Sequence, residues 1–125
     1  MKRDLDLIRD ILLQIEESNS EVIPITVLSL CKEEDYSDFA LLSTHIKLLL
    51  DSKYIEAEQM SNNSYGLCDF RIHRITSSGY DYLDTVRDDS IWSTIKSKIK
   101  TISNSAALDV VKSVGIDIIK SKLIS

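Results

Sequence analysis

Three observations predict a mainly α fold with a small β-hairpin (α+β), arranged as a winged helix-turn-helix with a two-helix C-terminal extension. Three helical stretches come first, at residues 3–17, 26–31 and 37–51, with one short extended piece between the first two. A hairpin pattern follows over residues 54–73. The second strand then passes through Thr76-Ser-Ser-Gly79 directly into another helix, which is how many winged-helix domains leave their wing. Residues 1–87 therefore read as the winged-helix body and residues 88–125 as the extension.

The first helix carries Leu5, Ile8, Ile11, Leu12 and Ile15 at helical spacing, with Asp6, Arg9, Asp10 and Glu17 on the other face. Ser18-Asn-Ser20 ends it. Pro24 disfavours helix at Ile23, so Glu21–Ile25 is read as extended. Thr26 is a cap for a short second helix carrying Val27, Leu28, Leu30 and Cys31. Ser37 or Asp38 caps the third helix. Its predicted buried stripe is Phe39, Leu42, Ile46, Leu49 and Leu50; its outer stripe is Ala40, Ser43, Thr44, Lys47 and Asp51.

Tyr54–Met60 and Cys68–His73 pair as a hairpin whose polar tip is 61–66. The fourth helix, roughly 77–87, is capped by Thr76 and is expected to bury Tyr80 and Leu83, with Gly79 letting it approach the sheet. Asp88 or Asp89 caps a fifth helix bearing Ile91, Trp92, Ile95, Ile99 and Ile102. A last helix, 106–124, carries a wide apolar face.

At 125 residues and 43% apolar content, the chain builds a core without disulfides or metal. Cys31 and Cys68 stand in no metal-type spacing and read as reduced thiols of a cytoplasmic protein. The charged, amphipathic start Met1-Lys-Arg-Asp-Leu-Asp6 does not fit a signal peptide. No apolar run reaches the roughly 18 residues of a membrane span. Charge is uneven: residues 1–87 hold 9 Lys and Arg against 16 Asp and Glu, and residues 88–125 hold 6 against 4.

The residues offer no reaction. His45 and His73 lack a zinc-ligand spacing and read as exposed or half-buried histidines. The glycines form no phosphate loop. Asp88-Asp89 is better explained by capping and a contact to Arg87 than by acid–base work. No enzyme activity, cofactor or metal is expected.

DNA reading, the usual work of the fold, would use the third helix and the wing. The candidate contacts are Ser43, Thr44, His45, Lys47, Arg71 and His73. Charge supports them weakly: residues 28–60 carry 3 Lys and Arg against 7 Asp and Glu, and Glu56 and Glu58 share a face with Arg71. Arg74 reads as a junction residue. The candidate dimer or partner interface is Trp92, Ile95, Ile99, Leu108, Val111, Val114, Ile118 and Leu123. The expected partners are a second copy through the C-terminal helices, a host or phage protein, or DNA, and not a membrane.

Residues 1–16, MKRDLDLIRDILLQIE, closely match the opening of a known family, Met-Lys-Arg-Asp-x-Asp-Leu-Ile-Arg-x-Ile-Leu-Leu-x-Ile-Glu. His45-Ile-Lys-Leu-Leu49, Arg74-Ile-Thr-Ser-Ser-Gly79-Tyr-Asp-Tyr-Leu83 and Arg87-Asp-Asp-Ser-Ile-Trp92 match its other motifs. The chain thus resembles, over nearly its whole length, a bacterial and phage domain family of unknown function, common in prophages and mobile elements. The resemblance implies a winged-helix fold and a phage or prophage setting, and no established activity. It departs at Val22-Ile-Pro-Ile25, where relatives often have Gly before a turn or Glu in the second helix. The functional expectation is a small, non-enzymatic regulatory protein of phage or prophage type, a winged-helix DNA-binding or transcription-associated protein with weak charge support. The alternative is an acidic protein-interaction adaptor or inhibitor that leaves DNA alone.

Overall fold

The computed structural model describes residues 3–18, 22–23, 25–32, 36–62, 68–102 and 107–124. The elements run α1 (Leu5–Glu17), β1 (Ile25–Thr26), α2 (Val27–Leu30), α3 (Tyr36–Asp51), β2 (Ile55–Asn62), β3 (Cys68–Ile75), α4 (Ser77–Val86), α5 (Asp89–Ile102) and α6 (Leu108–Ile124). The strands form one antiparallel sheet in the order β1-β3-β2. Helix, short strand, two helices, hairpin and helix is the winged-helix order, and α5–α6 is the extension.

Local chemistry sets the helix starts. Asp4 caps α1 by accepting the Leu7 N–H at 3.0 Å. Thr26 and Ser29 close a reciprocal capping box on α2. Asp88, not Asp89, caps α5, accepting the Ile91 N–H at 3.0 Å. The expected cap of α3 differs: the helix already runs at Tyr36, and Asp38 instead accepts the Lys32 N–H at 3.1 Å.

The α3 to β2 turn closes as a Schellman motif. Tyr54 N–H donates to the Leu49 carbonyl at 2.9 Å and Lys53 N–H to the Leu50 carbonyl at 3.0 Å. Lys53 takes the left-handed position at φ 61°, which favours glycine. Thr76 fastens α4 to this turn. Its hydroxyl donates to the Lys53 carbonyl at 2.6 Å and accepts the Gly79 N–H at 3.1 Å. A β-carbon on Gly79 would strike the Tyr54 carbonyl oxygen, so the close approach expected there is real.

The wing contains a bulge. Ala57 pairs with Ile72 and Glu56 with Arg74, leaving His73 as the extra residue of β3. The bulge breaks the period of two. Ile72 and Ile75, three residues apart, are both buried, and Arg74 comes onto the outer face.

One buried cluster runs from Ile8, Ile11 and Leu12 through Phe39, Ile46, Leu49, Ile72 and Leu83 to Trp92, Ile95, Val111 and Ile118. The core is continuous across the predicted boundary at 87/88. In α4 the buried tyrosine is Tyr82, at 0% exposure, and Tyr80 is exposed, which corrects the expected face. A helix places residues 79, 82, 83 and 86 on one side, and all four are buried here. Gly115 sits where α6 crosses α4, and a β-carbon there would run into the Thr85 methyl.

Candidate nucleic-acid interface and the helix 1 clasp

Helix α3 does not present the expected reading face. Ser43 is buried, and His45 is completely buried. The His45 ring accepts the Asp4 N–H on Nε2 at 3.0 Å, so its proton sits on Nδ1 and donates to the Leu41 carbonyl at 2.8 Å. Its work is to fix the start of α1 against α3. Thr44 is half-buried and donates to the Ala40 carbonyl at 2.8 Å. Of the four candidates on this helix, Lys47 alone stands exposed. Ser43 and His45 are thus buried side chains of α3, His45 through its bond to the start of α1, while Lys47 and Asp51 of the same expected stripe stay exposed. Leu41, expected on neither stripe, is exposed at 40%.

The cations of the wing are engaged by carboxylates of the same wing. Arg71 donates to Glu58 at 3.0 Å, and His73 Nε2 lies 3.4 Å from the same carboxylate. Arg74 reaches Glu56 at 2.8 Å, an assignment made possible by the bulge. The Arg74 guanidinium holds the Glu56 carboxyl below its ordinary value. The hairpin tip, expected at 61–66, lies outside the described residues from 63 onward.

The proposed interface residues of the extension serve mainly its own core. Trp92, Ile95, Ile99, Leu108, Val111 and Ile118 are buried within the chain, and Val114 is half-buried. Leu123 is 80% exposed. Six of the eight are therefore not open to a partner, because α6 folds back across α4 and α5.

The polar residues of two sequence motifs meet in a clasp between α1 and the α4–α5 junction. Arg9, with its side chain 17% exposed, donates to the Val86 and Arg87 carbonyls at 2.8 and 2.7 Å and to Asp89 at 2.7 Å. It thereby satisfies the carbonyl end of α4. Asp6 accepts the Trp92 indole N–H at 2.9 Å and Lys96 at 3.1 Å. The Arg9 and Lys96 cations lie 5.7 and 5.8 Å from the Trp92 ring centre, within cation–π range. Arg87 grips Glu16 through both oxygens at 2.6 and 2.8 Å, and also Asp84 at 2.9 Å. The expected contact of Asp88 and Asp89 to Arg87 is replaced: Asp88 caps and Asp89 meets Arg9.

The clasp shifts its carboxylates in one direction. Burial pushes Asp6 up, but the bonds from Trp92 and Lys96 together outweigh it and hold the group below its ordinary value. The Arg87 hydrogen bond lowers Glu16. The Ser90 hydroxyl and Ile91 N–H lower Asp88. Asp6 and Glu16 are thus held in structural ion pairs and Asp88 in a helix cap.

Asp69 went unrecognised in the sequence, where it reads as an outward polar residue of a strand. It is buried and accepts the Val27 N–H at 2.9 Å, the Phe70 N–H at 2.6 Å and the Leu28 N–H at 3.4 Å. Period-two alternation puts Asp69 in phase with Arg71 and His73, so spacing within the strand gave no sign of its burial. Cys31 and Cys68 are half-buried, with their sulfur atoms 3.5 Å from the Val27 carbonyl and 3.1 Å from the Met60 carbonyl. Among the described residues, no three His, Cys, Asp or Glu side chains gather where they could hold a metal ion. No helix among them is long and apolar enough to cross a membrane.

One open cleft of about 400 Å³ lies at the end of α1, lined by Gln14, Glu17 and Ser18, with Ile25 of β1 and Ser29 and Leu30 of α2. Val22 and Ile23, just before β1, and Leu28 of α2 are exposed at 71%, 72% and 41%.

A family model described as "Hypothetical protein (DUF2513)" matches residues 2–105. The chain is also 34% identical over 127 residues to an uncharacterized protein of Haemophilus influenzae, covering 98% of this chain and 99% of that protein. No solved structure matches.

Proposed function

The chain belongs to the DUF2513 family, and from that premise we propose that it is a small, non-enzymatic regulatory module of phage or prophage type that works by binding protein, on a winged-helix scaffold withdrawn from DNA reading. The observation that carries this is the disposition of charge. Arg71 and Arg74 of the wing are held by Glu58 and Glu56, and α3 offers Lys47 as its single fixed cation. Phosphate contacts from Lys and Arg supply most non-specific affinity for DNA, so such a face starts without the usual long-range attraction.

The family's other motifs support the same reading. His45, Arg9, Arg87 and Trp92 hold the fold together, which leaves little chemistry in the signature itself. Exposed Val22, Ile23 and Leu28 beside an open cleft offer apolar area to a protein partner.

DNA binding is the competing reading, favoured by the exposed Lys47 on the helix that reads DNA in this fold. Fluorescence anisotropy with labelled duplexes from the surrounding genome, at low salt, separates the two. The expected result is no saturable binding. Saturable binding that Lys47→Glu abolishes, with the melting temperature unchanged, would overturn the proposal.

A further inference from the structure

We propose that the last turn of α6 from a second copy of this chain docks into the cleft between α1, β1 and α2. This rests on the reading of the protein as an interaction module and names its partner. Among the described residues, the cleft is lined by the apolar Ile25 and Leu30 and by a polar rim in which Glu17 is the charged residue. Glu17 is exposed and makes no hydrogen bond or ion pair among the described residues. The last turn of α1 contains no basic residue. At the end of α1 the Ser18 N–H and hydroxyl donate to the Gln14 and Ile15 carbonyls, and the Arg87 cation is held by Glu16. Among the described residues, the Glu17 carboxylate is therefore left without a cation at the rim of an apolar hollow.

The last turn of α6 is its chemical complement. Leu123 is the most exposed large apolar side chain of the described residues, at 80%. Lys120 is exposed three residues earlier, and positions i and i+3 share a helix face. The turn thus presents a cation and an apolar group together, which matches the Glu17 rim and the Ile25–Leu30 floor. The two regions also carry opposite net charge, since residues 1–87 hold 9 Lys and Arg against 16 Asp and Glu, and residues 88–125 hold 6 against 4. Opposite charge on the two segments favours contact between the cleft-bearing part of one copy and the extension of another. Reciprocal docking closes a two-fold dimer in which both clefts are filled.

The pairing explains an otherwise odd outcome. The extension has a wide apolar face, of which α6 buries Leu108, Val111 and Ile118 in the core. Among the described residues of α6, Val114, Ile116 and Ile119 are half-buried, and Leu123 and, at the start of the helix, Val110 are exposed.

The test is sedimentation velocity of the full chain across about a hundredfold range of concentration. The wild type is expected to pass from monomer to dimer. Leu123→Asp and Glu17→Lys are each expected to remain monomeric, and both change exposed side chains that the core does not use. Joining Glu17→Lys to Lys120→Glu in one chain is expected to restore the dimer by reversing the pair. A wild type that stays monomeric at the highest concentration overturns the proposal and leaves the cleft to a foreign chain. So does a dimer that Leu123→Asp leaves intact. Neither result bears on the DNA measurement, which tests the module reading separately.

Discussion

Asp69 shows how a single residue settles a local arrangement that the strand pattern hides. Its carboxylate collects three backbone N–H groups at the start of α2 and within β3. Burying such donors without an acceptor costs the desolvation of each. Asp69→Ala is expected to lower stability by about 3 kcal/mol on that account, read as a shift of the denaturant midpoint. Asp69→Asn keeps an acceptor and should lose clearly less. His45 belongs to the same scale. From spacing alone it is a flank residue of a recognition helix. In the fold its two ring nitrogens join Asp4 to Leu41, a contact across 41 residues that no local pattern reveals.

At the scale of elements, each helix start was legible where a short polar residue precedes an apolar stripe. Thr26, Thr76 and Asp88 all act as caps. The α3 to β2 turn carries a conflict between sequence and geometry. Lys53 occupies a left-handed position that penalises a β-carbon. Lys53→Gly is expected to stabilise the protein by about 1 kcal/mol, less the added freedom of the unfolded chain, and thermal melts would show it. The clasp between α1 and α4–α5 gives the element scale its pH dependence. Asp6, Glu16 and Asp88 have folded pKa values below ordinary ones of 3.8, 4.5 and 3.8. A carboxylate with a depressed folded pKa contributes stability above its unfolded pKa and loses it as pH falls through the folded one. The melting temperature is therefore expected to hold from neutral pH down to about the ordinary carboxylate range, then fall as acid is added. The single tryptophan, Trp92, bonded to Asp6, gives a fluorescence signal for the same transition. A melting temperature unchanged down to the acid end of that titration would remove the clasp from the account of stability.

For the whole molecule, the decisive fact is that body and extension share one core. Trp92, Ile95 and Val111 lie in the same buried cluster as Ile8 and Leu83. A chain ending at Val86 would uncover the face of α4 on which α6 packs, and would lose the Trp92–Asp6 and Arg9–Asp89 contacts. Such a chain is expected to lack a cooperative melt, and the full chain is expected to melt in one transition. A truncated chain with a sharp melt would show instead that residues 1–87 fold alone.

Fold class, helix positions, the caps Thr26 and Thr76, the hairpin and the acidic balance of the body are determined by the sequence alone. Each depends on local spacing: 3.6 residues per helical turn, two per strand repeat, one polar residue at a cap. What tertiary structure decided is which polar side chains remain available to a partner. Ser43 and His45 are buried, His45 against the start of α1, and the His73 bulge carries Arg74 to Glu56. Arg9 and Arg87 close on α4 and α5, and six apolar residues of the extension turn into the core. Those outcomes depend on contacts between residues far apart in the chain, and spacing within one element cannot specify what packs against it.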